Sequence, residues 1–221
     1  MSHLAADVAA VPVRDGATVM LVRDCHAAPG GIEVLMLHRH PRTAFGSVWA
    51  FPGGAVDDCD HNAGAAPPHQ DDHESRRLGL PNGGSRFWAA AIRETLEETG
   101  LALTPVDLHY VSHWITPEGA PWRFDTRFFV AIAPDDDHAL DDGEHIDSCW
   151  IRPADAIARH EAGDFEMILP TIRNLEAISR FASAAELIAA AAAADDPRAV
   201  DDGGGWRILL PGDPGHDGPA R

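Results

Sequence analysis

Between Arg86 and Gly100, small and apolar residues recur at steps of three and four, at Trp88, Ala91, Ile92, Thr95 and Thr99, and the run stops at a glycine. That spacing dictates a helix with one buried face, closed by a residue free to take a left-handed turn. Each residue advances by about 100° around a helix axis, so Glu94, Glu97 and Glu98 fall inside one sector of roughly 100°, opposite the apolar one. Like charges at that spacing weaken an isolated helix by about 0.3 kcal/mol per pair. A solvated face is the commoner reason for such a run. A hard divalent cation held by oxygen ligands would also make it tolerable.

The segments around this helix read mainly as strands. Ala17 to Arg23 and Ile32 to Arg39 are short apolar runs separated by Ala-Ala-Pro-Gly-Gly, the pattern of a hairpin. Ser47 to Pro52 leads as an extended segment into Gly53-Gly54. Leu108 to Ile115 and Arg123 to Ile132 are further strand candidates, the second with an aromatic centre. An acidic connection, Asp135 to Asp147, precedes a short strand at Cys149 to Ile151. Pro153 to Ala162 opens with a proline suited to a first helical turn, and Leu169 to Ala194 holds one or two helices. Residues 57–85 are rich in Asp, His, Pro, Gly and Asn with almost no large apolar side chains, which predicts an exposed insertion without a core of its own.

One domain spanning 1–221 is the simplest division, with the insertion at about 57–85 and C-terminal helices and tail at about 169–221. Thirty-five acidic residues against 17 basic ones give a formal charge of -18, which repels phosphate backbones and anionic membrane surfaces. Neither nucleic acid nor a membrane is therefore expected as a partner. A polyanionic small molecule would need local relief from bound cations or from arginines aimed into a pocket. Cys25, Cys59 and Cys149 form no CxxC pair, and the first residues lack a cationic start followed by an apolar run. The chain reads as a soluble, cytoplasmic protein. Cys59, His61, His69 and His73 fit no common zinc spacing. The apolar cluster Trp206 to Leu210 is expected to dock on the domain or on a second subunit, the latter giving a homodimer.

Arg93-Glu94-Thr95-Leu96-Glu97-Glu98-Thr99-Gly100-Leu101 resembles the distal half of the Nudix box, R-E-U-x-E-E-x-G-U, and Phe51-Pro52-Gly53-Gly54 resembles its entry. The departures are local. The first acid of the pattern falls on Asp60 rather than glutamate, and 32 residues separate Asp60 from Arg93 where the pattern has seven, so 25 are extra. Thr95 occupies an aliphatic position, where its hydroxyl is able to bond back to the helix. An insertion at this point, with an Arg-Phe-Asp-Thr-Arg-Phe-Phe strand, is similar to a Nudix subgroup that includes coenzyme A diphosphatases. Arg39 and Phe51-Pro52-Gly53-Gly54 fit that subgroup's signature; its glycine is displaced to Gly46 and its second arginine falls at Ala44, with Arg42 nearby.

The resemblance implies an α/β fold, an α/β/α sandwich around a mixed central sheet, with a loop inserted in the box and a helical C-terminal extension. It implies a metal-dependent hydrolase of a diphosphate linkage in a small nucleotide-like molecule, coenzyme A or its esters among the candidates. Mg²⁺ or Mn²⁺ would be held by Glu97, Glu98 and the Gly53 carbonyl, with Glu94 as ligand or base, Arg93 orienting Glu94, and Glu144 as a further acid rivalled by Asp142 and Asp147. Arg39, Arg42, Arg123 and Arg127 are the candidate phosphate binders, Arg127 foremost because a charge on an aromatic strand needs a reason. Phe51, Trp114, Trp122 and Phe128 are candidates to stack on the rest of the substrate. Two alternatives share the fold: a binding or regulatory module, marked by loss of box acids that this chain keeps, and an isomerase using a catalytic cysteine, for which none of the three cysteines has the surrounding pattern.

Overall fold

A computed structural model describes residues 11–27, 31–43, 46–62, 74–76, 78, 80–140 and 143–193, and the backbone of 198–201 and 206–209. Its sheet begins with the expected hairpin, β1 (Val13–Asp24) against β2 (Ile32–Arg39), antiparallel with Val22 opposite Val34. Two short strands follow, β3 (Trp49–Ala50) on β2 and β4 (Gly53–Ala55) on the first half of β1, with Thr18 opposite Gly53. On the other side of β1 lies β6 (Arg123–Ile132), parallel to it, and β5 (His109–Ile115) is antiparallel to β6 at the edge. With β7 (His145–Ile151) on β2, the sheet is mixed and seven-stranded.

Apolar side chains alternate along these strands, so each face of the sheet carries its own core. One face holds Ala17, Val19, Leu21, Leu35, Leu37, Phe129 and Ala131 under the helix α2 (Ser85–Thr99) with Phe87, Trp88, Ala90 and Ala91. The opposite face holds Met20, Val22, Val34, Met36, Phe128 and Val130 under three helices, α3 (Pro153–Glu161), α4 (Leu169–Ile178) and α5 (Ala184–Ala193). Trp49 joins this second core by stacking on Phe165 with ring centroids 4.3 Å apart. The result is the expected α/β/α sandwich, with two helices in the Leu169 to Ala194 stretch. The hairpin β8 (Arg198–Asp201) and β9 (Trp206–Leu209) lies with β9 beside α4 and β8 beside β5, so this apolar segment is placed on the domain.

Two expectations need correction. Residues 57–85 are not simply exposed: a short helix α1 (Asp58–Asn62) begins the segment, and Asp60, Ser75 and Leu78 are all buried. Leu78 and Leu80 pack onto the α2-side core, and Ser75 Oγ accepts the Gly84 N–H at 2.8 Å. Two leucines were enough to dock a polar segment, because the helix they abut already offered Phe87 and Trp88. The strand expected at Cys149 starts at His145, so the residues just before it reach the sheet rather than hang in a loop.

Phe129 is fully buried, 4.7 Å from the Trp88 ring in an edge contact and 6.0 Å from Tyr110. Phe129→Ala should therefore lower the unfolding free energy by about 3–5 kcal/mol, read from the urea midpoint at constant m-value.

Candidate active site

The helix carrying the acids meets the sheet at the two glycines. Gly53 has φ +147, open to a residue without a side chain, and a Cβ there would stand 2.6 Å from Thr18 Cα. A Cβ on Gly54 would stand 2.5 Å from Glu94 Oε1. This bare backbone lets α2 approach closely enough for Gly53 N–H to donate to Glu98 Oε2 at 2.8 Å, across 45 residues of sequence. His145 Nε2 faces the other oxygen, Glu98 Oε1, at 3.5 Å. Glu98 is 4% exposed.

Three acids sharing a helix sector thus have three environments. Glu98 is buried against the sheet, and Glu94 is nearly so, its side chain 14% exposed. Glu97, at 59%, points outward, the only one of the three that fits a solvated face. Arg93 ties the set together. Its Nε and one terminal nitrogen grip both oxygens of Asp60 at 3.0 and 2.8 Å, and that same nitrogen donates to the Ala55 carbonyl. The remaining nitrogen donates to Glu94 at 2.8 Å and Glu97 at 3.1 Å. Asp60, nearly inaccessible, also accepts the Asp57 N–H, so α1 carries the acid displaced by the insertion back to the arginine. The Thr95 hydroxyl does not bond back to its helix: it is buried without a partner, and the turn is closed by Thr99 Oγ1 donating to the Thr95 carbonyl at 2.6 Å.

Glu94, Gly53, Gly54 and Glu144 line one end of a cleft of about 920 Å³, on the face of the sheet opposite α2's core. Arg39 and Arg14 are its lining cations; Arg14 had no distinguishing mark in the sequence. The far part is apolar, walled by Phe51, Trp114, Phe124, Phe128 and Leu169. Arg42 stays outside, in an exposed turn against His40, and Arg123 donates to the Thr116 carbonyl at the rim. Trp122 is half exposed and is not among the lining residues. Arg127, the foremost phosphate binder by sequence, points to the other face. It is paired with Asp125 and stacked over Phe87 at 4.8 Å, buried and not among the residues lining the cleft. The reason is parity: Phe124, Thr126 and Phe128 face the cleft, so Asp125 and Arg127 cannot. Asp147 lies within β7 opposite His38, whereas Asp142, His69 and His73 fall outside the described residues.

Burial drives the Glu98 carboxyl from its ordinary 4.5 up to about 8; the neighbouring Glu94 and Glu144 push the same way, while the Gly53 N–H and Arg39 oppose. Burial also raises Glu94, against the pull of Arg93, with Glu97 and Glu144 adding. Carboxylates that hinder one another's ionisation beside a cleft, with Arg93 shared between two of them, are hard oxygen donors of a kind that fits Mg²⁺ or Mn²⁺. Among the described residues no three His, Cys, Asp or Glu side chains close into a ready cage, so the fit rests on donor chemistry.

The profile of the NUDIX domain family matches residues 12–169. A NUDIX hydrolase from Alicyclobacillus acidocaldarius, solved by crystallography, is 23% identical and superposes with a TM-score of 0.67 over 81% of this chain and 96% of that one. The NUDIX domain of Shewanella oneidensis NrtR, crystallised with ADP ribose, is 12% identical with a TM-score of 0.50 over 75% and 85%. No curated protein matches the sequence. Among the described residues no helix is long and apolar enough to cross a membrane.

Asp60→Ala should remove the two-pronged grip on Arg93 while Glu94 and Glu97 still answer its charge. A loss of about 2 kcal/mol in stability is expected, together with a fall in kcat, both absent if the grip on Arg93 is dispensable. The raised Glu98 carboxyl has a pH signature. In metal-free protein the folded state holds this proton more tightly than the unfolded chain, so its stability contribution is complete below about pH 4.5 and is lost as pH rises through about 8. Thermal unfolding across that range should show a falling Tm, and Glu98→Gln should flatten the slope.

Proposed function

The chain belongs to the NUDIX domain family, a pyrophosphohydrolase by that membership and its complete Arg93-Glu94…Glu97-Glu98 set, and we propose that it is metal-dependent and cleaves a diphosphate joined to a nucleotide-like group. The observation that carries this reading is the convergence of Glu94, Glu144, the glycine pair and Arg39 at one end of a single cleft. Glu94, Glu97, Glu98 and the Gly53 carbonyl are the proposed holders of Mg²⁺ or Mn²⁺. When bound, the ion supplies charge neutralisation on the diphosphate and a water of lowered pKa.

The protein's own groups do the rest. Arg39 meets the phosphate oxygens, and Arg14 is the second lining cation of the cleft. Glu94, whose carboxyl burial raises, or Glu144 takes a proton at the carboxylate. Arg93 does not face phosphate, since its nitrogens are committed to Asp60, Glu94, Glu97 and Ala55; it holds the acids in place. Phe51, Trp114 and Phe128 supply flat surface for the non-phosphate half. Coenzyme A and its esters head the proposed substrates, on the strength of the interrupted box and of an apolar far wall that would suit an arm without charge. Intact box acids speak against a purely regulatory module.

A panel of coenzyme A, acyl-coenzyme A, ADP-ribose, NADH and dinucleoside polyphosphates, assayed with Mg²⁺ and with Mn²⁺, is the direct test. At least one should be cleaved at the diphosphate, with Glu98→Gln lowering kcat on the order of 1000-fold in a folded protein. Failure of the whole panel, or near-full turnover by that variant at saturating Mg²⁺, would reverse the reading.

A further inference from the structure

His145 opens β7 opposite Arg39, and its side chain is only 2% exposed. Burying an imidazole costs free energy unless its polar atoms are used, and here Nε2 faces Glu98 Oε1 at 3.5 Å. Because Gly53 N–H already occupies Oε2 at 2.8 Å, the Glu98 carboxylate has a nitrogen beside each oxygen, one from β4 and one from β7. Two nitrogens approaching opposite oxygens limit the rotation of the carboxylate plane more than the Gly53 bond alone would. The backbone confirms that the placement is built in: His40 N–H donates to the Glu144 carbonyl at 2.7 Å, so the β2 end anchors the residue just before His145.

We propose that His145 is a positioning residue, holding Glu98 by its Nε2–H so that the carboxylate's remaining lone pairs are presented toward the cation. The inference rests on the metal-dependent reading above and extends it to a residue outside the box. In ligand spheres of this kind the outer partner typically changes metal affinity or activity by about 10–100-fold when lost.

The test is Mn²⁺ binding to the substrate-free protein, by titration calorimetry and by the EPR signal of free Mn²⁺, for wild type, His145→Leu, His145→Gln and Glu98→Gln. His145→Leu should bind Mn²⁺ about 10–100-fold more weakly, and His145→Gln, which keeps an N–H donor, should recover most of that loss. Thermal unfolding of each variant separates misfolding from misplacement. Unchanged Mn²⁺ affinity in a folded His145→Leu, or equal loss in the leucine and glutamine variants, overturns the assignment. If Glu98→Gln also leaves Mn²⁺ affinity unchanged, the metal-dependent reading itself falls; if only the His145 variants are silent, that reading stands without this residue.

Discussion

The hydrogen bond from Gly53 N–H to Glu98 is the contact on which the site depends, because it locks a helix of one layer to a strand of another at a single carboxylate. It needs a backbone stripped of side chains at two successive positions, and the close approach that serves Glu98 also brings Glu94 against Gly54. Sheet and helix therefore cannot slide independently. The strand β4, only three residues long, acts as the bearing surface, held by pairing with the front of β1.

Charge is managed by commitment rather than by balance. The chain is strongly acidic, yet the arginine most central to the site is fully spent on carboxylates and a carbonyl, leaving the cleft with Arg14 and Arg39 as its lining cations. Such a cleft offers two guanidinium groups, two carboxylates and apolar rings. Attraction from bulk solution is not what such an arrangement favours. Local neutralisation is, in the way that Arg93 already answers Glu94 and Glu97.

The helix Ser85–Thr99 and its acids were legible because a period of 3.6 residues and a terminal glycine are local facts; Gly100 does take the left-handed conformation, φ 72. The sheet faces were legible wherever alternation was strict. Asp60 was recognised only as a position in a pattern, since nothing local says that an acid 33 residues upstream folds back onto Arg93. His145 gave no signal, being an unremarkable residue in an acidic connection whose strand begins earlier than its apolar core. Arg127 lies off the cleft for a different reason: a charge on an aromatic strand stands out in the sequence, whereas its parity with Phe128 sets the face it takes.

That parity has a consequence for the whole fold. Along β6, odd positions turn a charged set, Asp125 and Arg127, to the α2 face, while even positions turn Phe124, Thr126 and Phe128 into the cleft. These side chains, of which Arg127 is buried, meet partners there: Arg127 pairs with Asp125, His113 Nε2 lies 2.5 Å from the same carboxylate, and Arg86 grips Asp15 at 2.8 and 3.0 Å. Burial, with Arg127 adding, lowers the His113 pKa to about 4, so the ring is neutral near pH 7 and Arg127 answers Asp125 as the cation. Such pairs contribute modestly to stability once desolvation is subtracted. What they accomplish is placement, since pairing on the α2 face keeps Asp125 and Arg127 out of the cleft, where the neutral His113 is the member of this network that lines the wall. The rings of Phe124 and Phe128 can then face the cleft without the β6 charges between them.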